Sequence, residues 1–477
     1  MPAEDSQNKH DETAMLVVPS GNFKQMKKNG NPITPGHIVA IDAHGPRIDN
    51  KLPDVLPYDG KSLRRAAGYV VFIGLVSMVA VFIMEWNNER IGARIDSALG
   101  RTTGGVATLG ALFLFGSVGL MFKEPPDEFG TPDAVLFQAF NALGIFIVGV
   151  PLMLYMVYTH DDFEKEKLNH ETWYSWFEWL GIVGAIDIII VSFWASLSTQ
   201  LVGYAMAPSI LNGVGMVTSF IWGKTFFAEP VKSFVGASFS LAILILGVCL
   251  LAATHIASEL EGMKKHNFRK LRDRGRQHTS IDIQAIRPTN KPGIPRAAAA
   301  AFGFFAGVMA GVFDGALMVP YKLHVDLVEE PEASSLRFTV AYLASFSFAS
   351  LLTAPFLLLF AYVREHLQGE VLPDQHGNAG DLRAPNDRFM RKLCRAVIPG
   401  GITGTIWAMG NFLSVHATKH LGMSIGFPLV QTGILVAAVW GVVFFQDINV
   451  SRPAVGALFA CALISLIIGA AMLAQMG

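Results

Sequence analysis

Eleven stretches of this chain are apolar for long enough to cross a bilayer: approximately 66–84, 104–122, 134–158, 179–199, 203–227, 234–254, 297–319, 339–363, 397–418, 423–445 and 454–475. A hydrocarbon core of about 30 Å takes roughly 20 residues at about 1.5 Å each. Backbone polar groups meet no water at that depth, so each run must close its own hydrogen bonds as a helix. Composition agrees: charged residues make up 16% of the chain, well under the roughly 25% of a soluble domain. The expected fold is all-α and polytopic, with the lipid bilayer as its first partner and an integral, multi-pass place in a plasma membrane or endomembrane.

The runs are not independent. Trp222-Gly223-Lys224-Thr225-Phe226-Phe227-Ala228-Glu229 has the same pattern as Trp440-Gly441-Val442-Val443-Phe444-Phe445-Gln446-Asp447, 218 residues later. Gly116 precedes Lys123 as Gly315 precedes Lys322, and Pro208 with Asn212 echoes Pro428 with Gln431. These echoes divide the chain into units 104–254 and 297–475 of five helices each. Five is odd, so the second unit must enter the membrane upside down relative to the first, the inverted repeat of many transporters. Residues 66–84 are then an extra N-terminal helix, 255–296 a basic loop, and 1–65 a polar, Pro-containing tail expected to be mostly disordered. That tail has no apolar segment near Met1 of the kind a cleaved signal peptide needs.

Several classes of function are disfavoured. A net charge of −1 gives no footprint for nucleic acid. Cys249, Cys394 and Cys461 have no metal or redox spacing. His416 and His420 stand four apart without a third ligand, so no metal is expected, and no Gly-Lys-Ser/Thr follows any glycine-rich run. No cofactor is implied. The spans hold no nucleophile–base constellation, which argues against an enzyme.

Polar groups inside the spans are the candidate site, because a charge at the bilayer centre costs roughly 3 kcal/mol or more. Asp187 lies mid-span and shares a helical face with Gly184, Val191, Trp194 and Ser198. Asp314 lies in a ladder of glycines 303, 307, 311 and 315, whose spacing lets helices approach closely. These two acids are the candidates for proton coupling. Trp407, Asn411, Ser414 and Thr418 share a face in the second unit, where a flat aromatic beside amide and hydroxyl groups suits a sugar ring and its hydroxyls. Asn212 and Gln431 each follow a proline that opens the helical ladder. The substrate set read from the residues is Asp187, Trp194, Asn212, Trp407, Asn411 and Gln431; the competing reading is hydrogen bonding between helices with no ligand. Lys123 and Lys322 are expected to snorkel, and Trp222 and Trp440 to sit in interfacial belts.

Gly315-Ala316-Leu317-Met318-Val319-Pro320-Tyr321-Lys322 resembles the first-helix signature of the transmembrane protein 144 family. So does Gly116-Ser117 leading to Lys123, with Met121 where that signature has proline. The run from Trp407-Ala408-Met409-Gly410-Asn411 through Phe427-Pro428 to Trp440-Gly441 and Phe444-Phe445 is similar to the family's C-terminal half. The resemblance implies a fold of the drug/metabolite transporter superfamily and a carbohydrate as solute. It carries no established binding residue.

The leading functional expectation is a secondary transporter of a small polar solute, a carbohydrate by the resemblance, working by alternating access. A receptor or scaffold of transporter-like fold is the alternative. With residues 1–65 inside, inner segments hold 27 Lys/Arg and outer segments 9, which by the positive-inside rule puts the N-terminus in the cytosol and the C-terminus outside. The superfamily resemblance implies the opposite placement of segment 255–296.

Overall fold

The computed structural model describes residues 60–90, 98–123, 133–158, 178–202, 206–274, 296–327, 336–371, 385–446, 448 and 450–477. Among them are helices and turns and no strand. In chain order the helices are α1 (Gly60–Arg90), α2 (Ala98–Ser117, prolonged by a 3-10 turn Val118–Lys123), α3 (Ala134–Tyr158), α4 (Trp179–Val202), α5 (Met206–Ile221, prolonged by a π turn Trp222–Phe226), α6 (Phe234–Arg274), α7 (Arg296–Ala316), α8 (Val319–Leu327), α9 (Leu336–Val371), α10 (Pro385–Leu421), α11 (Gly426–Gln431), α12 (Ile434–Val443) and α13 (Pro453–Ala474). The chain is an all-α, multi-pass membrane protein.

Nine helical stretches among the described residues are long and apolar enough to cross a membrane. The two expected runs outside that group, 203–227 and 397–418, are carried by α5 and α10. Helix α5 has 16 residues. Helix α10 has 37, but its span is diluted by Gly400, Gly401, Gly404, Trp407 and Asn411. It tolerates them because it is central: it packs on α1, α2, α3, α9 and α11, and every residue from Ala408 to Thr418 is buried. Polar groups there face protein rather than lipid.

Three boundaries differ from the expectation. Helix α1 is longer than 66–84 at both ends, because Glu85 and Asn88 near its end find polar partners and stay buried. The basic segment 255–296 begins as helix, since α6 runs 41 residues to Arg274. At about 1.5 Å per residue this is twice the thickness of a hydrocarbon core. Segment 364–396 is likewise helical at both ends, where Lys392 of α10 holds Glu365 of α9 at 2.7 Å. The tail 1–59 and residues 275–295 lie outside the described residues.

Helix packing follows a pattern of exchange. Helix α2 packs on α10 as α7 packs on α4, and α3 packs on α10 as α9 packs on α4. Helix α5 meets α7 as α11 and α12 meet α2, while α3 with α9, α5 with α11 and α6 with α13 are paired directly. The two Trp-Gly endings also share local geometry. Phe227 N–H donates to Trp222 O at 3.1 Å and Phe445 N–H to Trp440 O at 3.0 Å, each five residues back. The residue after each Phe-Phe, Ala228 and Gln446, has φ of 50° and 54°; among the described residues no other non-glycine has positive φ. A side chain in that region is strained, so two occurrences 218 residues apart mark one device used twice. Asp447, the acid of the second ending, lies outside the described residues.

Close approach explains the glycine ladder of α7. A Cβ at Gly311 would meet Val214 Cβ at 2.6 Å, and one at Gly315 would meet Thr218 Cβ at 2.5 Å and Gly215 O at 2.6 Å, all on α5. The matched contact in the other half sets Gly116 of α2 against the carbonyl oxygen of Gly433.

Polar contacts mark the two ends of the bundle. At the end where α1 begins, here the proximal face, Arg364 of α9 pairs with Asp133, whose carboxylate also caps α3 through Val135 N–H at 3.0 Å. At the end where α1 finishes, the distal face, Lys419 of α10 donates to Glu85 at 2.9 Å and His420 bonds the same carboxylate. Leu336 N–H of α9 donates to Glu89 at 3.1 Å.

Candidate functional site

A cavity of about 590 Å³ lies among α2, α3, α4, α5, α6, α7, α10, α11 and α12. That is in the range of ligand sites, roughly 300–1,000 Å³. On α2, α3, α4, α5, α6 and α10 most of its lining residues fall on the proximal side of the membrane span, ending at Trp407 near the middle of the α10 span.

The wall is aromatic on one side. Trp407 stacks on Phe346 with ring centroids 5.7 Å apart and planes at 18°, and Phe115 lies 6.1 Å from it. Phe137, Phe427 and Phe445 add apolar surface. Polar groups converge from other helices. Asn141 donates to Gln138 at 3.1 Å, while its own Oδ1 is buried without a partner. Ser198 Oγ and Thr403 Oγ1 line the cavity and are also buried without a partner. Asn212 donates its amide to Pro208 O at 2.8 Å, so it closes a local turn.

The sharpest feature is a carboxylate–amide pair. Gln431 Nε2 donates to Asp314 Oδ2 at 2.6 Å. Gly215 of α5 makes room for the pair, since a Cβ there would lie 2.9 Å from Asp314 Oδ2. Directly after Gln431 the helix breaks at Thr432–Gly433, and α12 starts afresh at Ile434. Interrupted helices beside a polar cavity are how membrane proteins present unpaired backbone groups to a solute.

Of the six expected substrate residues, Asn212, Trp407 and Gln431 line this cavity together with Asp314. Asp187, Trp194 and Asn411 lie outside its lining. The cavity-facing side of α4 is centred near Ser192 and Ala195, about 100° around from Asp187 and Trp194 at 3.6 residues per turn. Trp194 instead meets Phe193 and Phe305 edge-on at 5.3 and 5.9 Å. Asp187 lies within electrostatic reach of Asp314 and Tyr342, and its Oδ2 is buried without a partner. Aligned on the Trp-Gly endings, Asn212 falls opposite Val430 rather than Gln431, so the matched amides are one position out of register. Phe115, Asn141 and Ser198 belong to the cavity although the sequence singled out none of them as ligand contacts.

Two other expectations are corrected. Trp440 is no interfacial belt residue: it lines the cavity and donates to Ser117 Oγ of α2 at 3.0 Å. Lys322 does not simply snorkel. It lies 3.6 Å from Glu229 and 3.6 Å from Asp326, because the turn after the π bend brings an acid within its reach. The side chain of Lys123 is outside the described residues. Glu229, the acid of the first Trp-Gly ending, accepts from Met423 N–H at 2.8 Å, Ser424 N–H at 2.7 Å and Ser424 Oγ at 2.8 Å. It thereby fastens the first ending to the α10–α11 turn, which reverses at Gly422 with φ of 79°. Among the described residues no group of three or more His, Cys, Asp or Glu side chains is gathered to hold a metal.

Comparison with known proteins points the same way. The family model described as "Sugar transport protein" matches residues 387–476. The "Putative sugar uptake protein lin0215" of Listeria innocua is 35% identical over 60 residues, covering 13% of this chain and 20% of that relative. "Transmembrane protein 144 homolog B" of Dictyostelium discoideum is 25% identical over 148 residues, covering 31% of this chain and 34% of that relative. The "Putative sugar uptake protein lmo0169" of Listeria monocytogenes is 22% identical over 300 residues, covering 56% of this chain and 96% of that relative. The chain thus spans a fifth to a third of the length of the first relatives it matches. The resemblance to the transmembrane protein 144 family read from the residues holds.

Proposed function

We propose that this protein is a secondary transporter of a small neutral carbohydrate, which binds between two inverted five-helix units and is passed from one face of the membrane to the other. The observation that carries this reading is the cavity of about 590 Å³, with Trp407 and Phe115 on one side and the Asp314–Gln431 pair on the other. Aromatic faces take the apolar face of a sugar ring. Amide, hydroxyl and carboxylate groups take its hydroxyls, which both donate and accept. The exchange pattern of helix packing and the paired positive-φ turns support two related units, and an odd number of helices in each makes them antiparallel. The names of the relatives supply the solute class.

The pair also suggests how a proton could be coupled. An ionised Asp314 only accepts, and it holds Gln431's amide. Once protonated it becomes a donor itself, and Gln431 is free to turn to a sugar hydroxyl. Asp187, within reach of the same charge, is the second carboxyl of this relay.

Thermal unfolding against a panel of mono- and disaccharides tests the proposal, since a ligand stabilises the state it binds by RT ln(1 + [L]/Kd). One sugar at 100 times its Kd should stabilise the protein by about 2.7 kcal/mol, and Trp407→Ala should abolish the shift. A panel without any sugar-dependent shift would favour a receptor or scaffold for a different partner.

A further inference from the structure

The aromatic floor of the cavity continues past Trp407. Phe346 stacks on Trp407, Tyr342 lies 6.4 Å beyond Phe346, and Tyr321 lies 5.3 Å beyond Tyr342. This column carries the protein from the cavity to the distal face, where it is fastened by contacts of two buried acids. Glu178 lies 3.2 Å from His324, and Glu229 meets Lys322 and the Met423–Ser424 turn. The distal half of the bundle is therefore shut.

Along the shut half, α10 keeps the same polar face that lines the open half. Thr403, Trp407, Asn411, Ser414 and Thr418 fall within about 80° of one another at 3.6 residues per turn. Thr403 and Trp407 face the cavity. Asn411, Ser414 and Thr418 are 3%, 0% and 1% exposed, and among the described residues Asn411 Oδ1, Ser414 Oγ and Thr418 Oγ1 have no partner. Hydroxyls elsewhere in the bundle turn back on their own helix, as Thr405 does to Gly401 O at 2.9 Å and Ser347 to Leu343 O at 2.8 Å. Asn411 Oδ1 has no such recourse, because a carbonyl oxygen needs a donor and a helix offers it none. Beside it, between α3, α9 and α10, is a void of about 10 Å³, at the lower limit for a single water. A row of buried polar atoms left unpaired is destabilising, so it needs a conformation in which the cost is relieved.

We propose that the Asn411–Ser414–Thr418 face of α10 is the closed half of the solute path, wetted when the distal seal opens and the cavity closes at the proximal face. The orphaned Oδ2 of Asp187 belongs to α4 one turn after Gly184, which is so close to α9 that a Cβ would meet Tyr342 Oη at 2.6 Å. The solute then meets Asn212, Asp314 and Gln431 in one state and Asn411, Ser414 and Thr418 in the other, with Trp407 common to both. This inference rests on the transport reading.

Thiol labelling tests it in the full chain after Cys249, Cys394 and Cys461, all exposed, are replaced by Ser. Single reporters are placed by Ser414→Cys, Thr418→Cys and, for the open cavity, Thr403→Cys. A membrane-impermeant maleimide is applied to one face at a time, with full labelling in SDS as the control. The seal is weakened by Glu178→Gln and, as a milder change at a partly exposed partner, by Lys322→Gln. The 414 and 418 thiols should label about tenfold faster in a seal-weakened chain, from the distal face only, while the 403 thiol slows at the proximal face; a minor state populated at about 0.1–10% leaves room for that rise. Unchanged rates in both seal variants, or labelling of 414 and 418 through the proximal face, overturn the proposal. Uptake of labelled sugars is measured on the same chains. Labelling as expected without uptake of any sugar removes the sugar reading and keeps the path; uptake with silent 414 and 418 thiols does the reverse.

Discussion

Replacing Glu229 should destabilise this protein by releasing the fastening at its distal face. Its carboxylate accepts three hydrogen bonds, from Met423 N–H, Ser424 N–H and Ser424 Oγ, between 2.7 and 2.8 Å. Hydrogen bonds to a charged group contribute about 1.5–3 kcal/mol each, and a buried donor left unpaired costs about 1–3 kcal/mol. Lys322 is 23% exposed and keeps Asp326 at 3.6 Å, so its share is that of a surface pair, about 0–1 kcal/mol. The amides therefore decide the outcome. Glu229→Ala should cost about 3–6 kcal/mol, since Met423 and Ser424 are almost fully buried and no water reaches their N–H groups. Glu229→Gln keeps one acceptor oxygen and should cost about 1–3 kcal/mol, and Ser424→Ala, which removes one of the three bonds, about 1.5–3 kcal/mol. Unfolding titrated with SDS in mixed micelles and followed by tryptophan fluorescence gives the order. A Glu229→Ala protein within about 1 kcal/mol of wild type, or a glutamine variant as damaged as the alanine variant, would refute the reasoning.

Four further outcomes are expected. Gly215→Ala puts a methyl 2.9 Å from Asp314 Oδ2, so it should displace the Asp314–Gln431 pair and lower sugar uptake at least tenfold, read in proteoliposomes, while the unfolding midpoint changes little. Gly315→Ala meets Thr218 Cβ at 2.5 Å and backbone at 2.6 Å; the overpacking should cost about 1–3 kcal/mol in the same SDS titration. Asp187→Asn should abolish accumulation driven by a pH gradient yet leave exchange of labelled for unlabelled sugar, and unchanged accumulation would reduce Asp187 to packing. With Cys249 and Cys461 replaced by Ser, the exposed Cys394 near the start of α10 should resist an impermeant maleimide applied to the outer or luminal side, as the 27-to-9 charge bias requires; labelling from that side would reverse the orientation.

The helical, multi-pass architecture was legible because lipid permits so little else: long apolar runs gave the helices, while the two-unit division stays a proposal, supported by the packing of α2 on α10 and of α7 on α4. Composition misled where burial is by protein. Helix α10, carrying Gly400, Trp407 and Asn411, is less apolar than the lipid-facing helices because its neighbours solvate it. Three of the six expected substrate residues line the cavity, for a related reason. Intramembrane amides, aromatics and acids are scarce, so Asn212, Trp407 and Gln431 stood out with Asp314. Asp187 and Trp194 lie a fraction of a turn outside the lining, an offset that periodicity cannot fix without knowing where the neighbouring helix lies. Asn411 shares the face of Trp407 one turn further along α10, outside the lining. Asn141, Ser198 and Phe115 enter the cavity through the crossing of α3, α4 and α2 with α10 and α7, a three-dimensional fact without a local signal. Glu229 was visible as the acid closing a repeated motif, but its partners are some 194 residues away.

Uptake into proteoliposomes tests the central claim most directly. Purified protein is reconstituted, radiolabelled monosaccharides are offered with and without an inwardly directed proton gradient, and Trp407→Ala and Gln431→Ala are run beside the parent. The account predicts saturable, protein-dependent uptake of at least one sugar, lost in both variants although each still unfolds cooperatively. Parent vesicles that take up no sugar above protein-free vesicles, or variants that transport as well as the parent, would contradict it.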